Sequence, residues 1–295
     1  MSSNKVPRGT VPARGDGPPF LRLRRYIKRP AVLIGGAALV LLAVGTSWRR
    51  AQASVKDPCR QFTCEQGGII RGRTGAKRLA LVFTGGSFAD GGGHIRGVLK
   101  KKGVRASFFF TGDFYRTREF GGLIRGLVAD GHYLGPHSDR HLLYCDWDDR
   151  GRTLVTRDEF RSDLLANYRE LERFGITRDR AIFFIPPYEW YNAEVAGWAR
   201  EMGLVLFNFT PGTSSNADYT TPSMKEYLPS GVIYDRILSY EKKDPHGLNG
   251  FILLVHIGTD PERTDKLYLK LEELITELER RGYTFVRIDE LLTSS

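Results

Sequence analysis

The sequence predicts an α/β fold in which strands and helices alternate around a mainly parallel sheet, barrelled or open. Three observations predict it. Short apolar runs such as residues 79–83, 106–111 and 251–255 have the length of buried strands. Longer amphipathic segments separate them, and glycines stand where those segments end, as at Gly103 and Gly175. Polar residues suited to chemistry cluster just after the apolar runs, where α/β folds place their sites.

The elements follow in order. Residues 1–30 are a basic tail, and 31–48 form an uncharged run near the lower length limit of a membrane-spanning helix. Eight Lys or Arg precede that run, so the positive-inside rule keeps the N-terminus in the cytoplasm and sends the rest across. Ala51-Gln52-Ala53 has the small-x-small form of a signal-peptide cleavage site. Arg49 and Arg50 sit where such a site is normally uncharged, which favours an uncleaved anchor. Residues 49–76 are polar and rich in Gly and Arg and read as a stalk. Export lets disulfides persist, so Cys59 and Cys64 are a candidate pair and Cys145 a buried thiol, with other pairings open.

The folded part then runs as strand 79–83, helix 95–102, strand 106–111, helices 118–129 and 158–174, and strand 181–185 stopped by Pro186-Pro187. Helix 194–202, strand 204–207, strand 251–255, helix 264–281 and strand 284–288 complete it. The formal net charge is +10, yet residues 1–50 hold ten Lys or Arg against one Asp, leaving 34 basic and 33 acidic residues elsewhere. That distribution excludes a polyanion-binding domain, and no nucleic-acid partner is expected.

His137 and His141 are four residues apart, so both imidazoles reach one point in a helical turn or tight loop. Neutral imidazole is the commonest ligand of first-row divalent metals. The ends of other apolar runs bring Thr84 to Asp90, Thr111 to Asp113, Pro187 to Trp190, Asn208 to Thr210 and His256 to the same rim.

Over roughly residues 77–292 the chain resembles the polysaccharide deacetylases of the NodB-homology type, carbohydrate esterase family 4. The pieces that carry the resemblance stand in family order: LALVFTGG, ASFFFTGDF, DGHYLGPHSDRH, FFIPPYEWYN and LLVHIG. The resemblance implies a distorted (β/α) barrel that holds a divalent metal, usually zinc, and removes acetyl groups from N-acetylated sugars. It assigns His137 and His141 to the metal and His256 to the general acid. It places Tyr188 where the family uses a backbone N–H as an oxyanion donor.

Two departures stand beside it. The family has two Asp after its first strand, a base and a metal ligand, where this chain has Thr84 and Gly85. The Arg that pairs with the base is replaced by Ile185. Loss of both ends of one ion pair is physically coherent, because either charge alone would be buried unpaired.

Asp90 is the nearest carboxylate in the same loop, and three glycines follow it, so it is read as a replacement metal ligand or base, with a helix cap as the alternative. Asp139, inside the histidine pair, is a second candidate for the base. Tyr188, Glu189 and Trp190 are read as substrate contacts, with Trp190 and Tyr191 stacking on a sugar ring; Asp113 and Asp260 are read as turn residues. The expected function is metal-dependent removal of acetyl groups from N- or O-acetylated sugars, since a bound ion does much of the work of a carboxylate base. A carbohydrate-binding pseudoenzyme and a two-carboxylate glycosidase using Glu189 and Asp90 are the alternatives.

Overall fold

A computed structural model describes residues 58–293, so the basic tail and the apolar run 31–48 lie outside the described residues. The segment expected as a stalk is folded from residue 58 onward. Cys59 and Cys64 form a disulfide, and β1 (Thr63–Glu65) pairs antiparallel with β2 (Gly68–Arg71). Ile69 is fully buried, and Arg71 pairs with Asp244 at 3.3 Å. The polar composition misled because these polar side chains anchor the hairpin to the domain.

Strand β3 (Arg78–Gly85) is central and pairs in parallel with β4 (Ser107–Phe110) on one side and β8 (Ile252–His256) on the other. The sheet continues from β4 to β5 (Tyr133–Pro136), while β9 (Thr284–Val286) meets the start of β3. β6 (Phe183–Phe184) and β7 (Val205–Leu206) form a separate parallel pair. Isolated hydrogen bonds join that pair's neighbourhood to both sheet edges. Phe183 N–H donates to the Tyr133 hydroxyl at 2.9 Å, and Thr210 N–H donates to the Ile252 carbonyl at 3.0 Å. The strands thereby curl into an irregular, incomplete barrel.

Helices α1 (Gly92–Lys102), α2 (Gly112–Arg116), α3 (Gly121–Ala129), α4 (Arg157–Glu172) and α5 (Ala193–Glu201) follow successive strands. α6 (Ser230–Lys243), α7 (Leu271–Arg280) and α8 (Ile288–Leu291) complete the set among the described residues. α1 stops at Gly103, whose φ of 65° suits glycine and whose N–H caps the last carbonyls. α4 begins with a capping box formed by Thr156 and Glu159. α6 had no counterpart in the sequence reading, because its buried side is narrow and consists of Ser230, Ile233 and Ile237. Among the described residues no helix is long and apolar enough to cross a membrane.

Side chains along β3 alternate between two cores. Leu79, Leu81 and Phe83 share one with Ile95 and Leu99 of α1 and Leu274 and Leu278 of α7. Ala80 and Val82 share the other, inside the barrel, with Phe109, Phe207, Ile252 and Leu254. Burial on both faces is why residues 79–83 read as a continuous apolar run rather than an alternating one. By the same period of two, Thr84 belongs to the barrel interior and Gly85 to the helix side.

Candidate active site

The C-terminal ends of β3, β4, β5 and β8 and the loop after β6 open into one cavity of about 620 Å³. Thr84, His137, His141, Glu189 and His256 line it, with Trp147, Tyr188 and Tyr219 exposed at the rim.

The histidine pair is held from below by α4. After β5 the chain passes through Ser138 and His141, with φ of 71° and 54°. Asn167 Oδ1 accepts the His137 N–H at 3.0 Å. Asp163 accepts the Asp139 N–H at 2.9 Å, the Arg140 N–H at 3.1 Å and the Ser138 hydroxyl at 2.5 Å. Side chains thus satisfy the buried amides of a loop too irregular to pair with itself.

His137 Nδ1 donates to the Ile185 carbonyl at 2.9 Å. A carbonyl only accepts, so this bond sets the tautomer and leaves a lone pair on Nε2. The rings of His137 and His141 are 5.0 Å apart. Burial, reinforced by neighbouring imidazoles, lowers the pKa of His137 well below its usual value and that of His141 to about 4. Both rings are therefore neutral near pH 7, the state in which imidazole is a ligand.

The loop after β6 is strained. Tyr188 and Glu189 both have positive φ, 58° and 53°, and Asn208 Nδ2 donates to the Glu189 carbonyl at 2.7 Å. This turn brings Glu189 Oε1 to 4.0 Å from His137 Nε2, with the Glu189 side chain 11% exposed. Burial raises the Glu189 pKa to about 7 against the opposing influence of His256.

His256 ends β8. Its Nδ1 lies 2.7 Å from Asp218 Oδ1, and its backbone N–H donates to Asp218 Oδ2 at 2.9 Å. Burial would lower the His256 pKa, but the charge and hydrogen bond of Asp218, joined by the charge of Glu189, outweigh it and raise the value. A histidine whose pKa is raised in this way holds its proton to higher pH than a free imidazole, the direction that suits a general acid.

Thr84 Oγ1 is buried with no hydrogen-bond partner among the described residues. A Cβ at Gly85 would stand 2.7 Å from Ile257 Cγ2 and 3.0 Å from the rings of Phe110 and Phe114. Core packing therefore fills the space beside Gly85. Ile185 is fully buried in the barrel core, so no cation replaces the missing Arg at that position.

Several expected site residues stand elsewhere. Asp90 is not brought to the histidines: its carboxylate accepts the Thr259 N–H at 2.8 Å and the Tyr268 hydroxyl at 2.8 Å and pairs with Lys266 at 3.1 Å. The glycines after it lead into α1 instead of folding back, and the cap position is Gly91. Asp139 is buried against Arg116 Nη1 at 2.6 Å, outside the cavity. Trp190 donates its indole N–H to the Asp146 carbonyl at 3.0 Å and stacks on Trp147. Tyr191 is fully buried with its hydroxyl on the Glu65 carbonyl, which rules out sugar stacking. Tyr188 keeps a rim position, 46% exposed and 4.3 Å from the His141 ring. Asp113 and Asp260 reach the cavity wall; Asp113 pairs with Arg116, and Asp260 accepts the Glu262 N–H in a turn.

Sequence reasoning missed Asp218, Asp163, Asn167 and the exposed Trp147. Asp163 and Asn167 had a readable signal. They are four apart on the buried side of α4, in line with Phe160, Leu164 and Leu171, and polar residues at core spacing announce a hydrogen-bonding task.

Two neutral imidazoles, one with its tautomer locked, suit a divalent metal as two of its donors. Among the described residues, no three His, Cys, Asp or Glu side chains lie close enough together, as they stand, to hold an ion.

The Asp218-paired His256 and two neutral imidazoles thus share one cavity at the mouth of an incomplete barrel in an α/β fold. The chain resembles the polysaccharide deacetylase family, whose sequence model matches residues 71–207. It is 27% identical over 215 residues to the peptidoglycan-N-acetylglucosamine deacetylase PgdA of Listeria monocytogenes, covering 73% of this chain and 39% of that protein. It thus spans about two fifths of that relative's length. It is 26% identical over 222 residues to the peptidoglycan-N-acetylmuramic acid deacetylase PdaA of Bacillus subtilis, covering 75% and 73%. Among solved structures, a CE4 family pseudoenzyme from Bacillus anthracis matches with a TM-score of 0.60 at 22% identity, covering 78% of this chain and 70% of that one. Bacillus subtilis PdaA, a family 4 carbohydrate esterase, matches with a TM-score of 0.56 at 23% identity, covering 76% and 84%. These structural likenesses show the α/β fold.

Proposed function

We propose that the chain is a membrane-anchored deacetylase that removes acetyl groups from N-acetylated sugars of a cell-wall polysaccharide, with O-acetyl esters as the second bond class. The observation that carries this is the Asp218-paired His256 in one cavity with two neutral imidazoles. The naming of its relatives as peptidoglycan deacetylases supports the substrate class.

His137 and His141 would hold a divalent ion, zinc being the natural choice for imidazole donors, which supplies Lewis-acid polarisation of the acetyl carbonyl. His256, kept protonated by Asp218, gives its proton to the departing sugar amine. The Thr84 hydroxyl hydrogen-bonds the acetamido group, and the Tyr188 backbone N–H faces the carbonyl oxygen as it gains charge. Trp147 and Tyr188 at the rim stack on the sugar ring. Water adds to the carbonyl carbon and loses a proton to solvent, the C–N bond breaks as the nitrogen takes the His256 proton, acetate and the amino sugar leave, and His256 regains a proton from solvent. Asp90 and Asp139 take no part, and the glycosidase reading loses its second carboxylate with Asp90.

Acetate release from acetylated oligosaccharides tests the reading. His256→Ala should lower the rate by about 10²–10⁴-fold. The packing around Gly85 favours one second reading, a carbohydrate-binding pseudoenzyme. Binding of acetylated glycan by the wild type with no acetate released would establish it.

Residues 31–48 carry the localisation, the folded domain lying outside the cytoplasm. Protease should digest that domain in spheroplasts. Protection would overturn the topology, and a soluble form beginning at Ser54 would establish cleavage.

A further inference from the structure

We propose that Glu189 is the carboxylate donor that completes the metal site with His137 and His141, replacing a ligand on β3 with one from the loop after β6. This rests on the metal-dependent reading above only in requiring that an ion be bound.

Two potential ligand atoms face each other across the cavity. His137 Nδ1 carries its proton to the Ile185 carbonyl, so Nε2 has only a lone pair to offer. Glu189 Oε1 stands 4.0 Å from that lone pair, and no hydrogen bond to the Glu189 carboxylate forms among the described residues. At 4.0 Å no hydrogen bond closes the gap between these two atoms, which leaves room for a cation that both can ligate. Donors sharing a tetrahedral zinc at about 2.0–2.2 Å lie roughly 3.3 Å apart. The observed 4.0 Å exceeds that spacing by about 0.7 Å, so binding requires the Glu189 side chain to move toward the histidines.

The backbone is built for this aim. Glu189 and Tyr188 are held at positive φ, and the Glu189 carbonyl is pinned by Asn208. Strain of this kind persists only where surrounding contacts enforce it. The neighbouring carboxylates are already committed: Asp90 to Thr259, Tyr268 and Lys266, Asp113 and Asp139 to Arg116, Asp163 to the histidine loop, Asp218 to His256 and Asp260 to the Glu262 N–H. On β3, the space beside Gly85 is filled by Ile257, Phe110 and Phe114. Glu189 is the carboxylate left to serve.

The full chain in detergent, stripped by a chelator and titrated with zinc against a chromophoric competitor, tests the proposal. The wild type should bind one ion, Glu189→Gln should bind it at least tenfold more weakly, and Asp90→Asn should stay within twofold of wild type. Glu189→Gln binding as tightly as wild type overturns the Glu189 assignment and leaves the histidine pair standing. A wild type that binds no zinc overturns the metal reading itself, and this proposal with it. Glu189→Cys loaded with cobalt(II) gives a readout independent of affinity. A thiolate-to-cobalt charge-transfer absorption places residue 189 on the ion, and its absence in a folded, cobalt-bound variant overturns the proposal.

Discussion

His256 Nδ1 lies 2.7 Å from Asp218 Oδ1, and the other oxygen of that carboxylate holds the backbone N–H of the same histidine at 2.9 Å. One carboxylate thus fixes both the ring and the strand end that carries it. The loop bearing Asp218 is fixed in turn by the fully buried Arg263, which donates to the carbonyls of Thr220 at 2.7 Å and Leu228 at 2.9 Å.

The pairing sets a pH limb. If His256 acts as the proposed general acid, the rate should fall as pH rises through a His256 pKa that lies above the ordinary 6.5. Asp218→Asn removes the larger raising influence and leaves burial opposed only by the charge of Glu189, so the falling limb moves to lower pH. Each unit of movement costs about tenfold in rate on the alkaline side. An unmoved limb in Asp218→Asn would show that another group titrates.

Restoring the two family carboxylates should fail. In Thr84→Asp/Gly85→Asp the new side chain at 85 meets Ile257 and Phe110, and overpacking alone costs about 1–3 kcal/mol. No arginine stands at 185 to pair with the new charge at 84. The double variant should melt earlier than wild type and release acetate no faster. A stable, faster double variant would mean that the cavity lacked only two side chains.

Asp90→Ala should act on stability. It removes hydrogen bonds to Thr259 N–H and Tyr268 and an ion pair with Lys266, which itself donates to the Thr259 and Asp260 carbonyls at 3.0 Å. A loss of about 1–3 kcal/mol in urea unfolding is expected, with zinc affinity unchanged. Loss of zinc binding with stability intact would return Asp90 to the metal.

His132 gives the domain an acid-sensitive core. Ala106 N–H donates to its Nδ1 at 3.1 Å, and burial lowers its pKa to about 4. A folded pKa below the unfolded value of about 6.5 means that its stability contribution is full above pH 6.5 and is lost as pH falls toward 4. The urea midpoint should drop across that window, and His132→Gln should drop less than wild type. Parallel pH profiles would show that His132 does not couple to folding.

Much of the fold was legible because strand runs and helix punctuation are local signals. Residues 79–83 and 251–255 lie within or overlap β3 and β8, and Gly103 ends α1 at its expected place. The hairpin of 63–71 was hidden because its stability comes from distant partners such as Asp244, which composition does not display. At the site, the histidines were legible from their spacing and from the order of the surrounding motifs. Asp90 misled because nearness in sequence stood in for nearness in space, whereas Lys266 and Tyr268, far along the chain, capture its carboxylate. Asp218 sits 38 residues from His256 with no pattern linking them, so only folding reveals the pair.

The side chains of Asp163 and Asn167 tie the amides of His137, Asp139 and Arg140 to α4. Those amides have no private route to deuterium: each exchanges only when the loop parts from the helix, which breaks several bonds at once. Their protection should therefore follow the slow breathing of α4 rather than the quick fraying common in surface loops. The two imidazoles keep their spacing for as long as that helix stays docked, so a passing substrate meets a geometry already made.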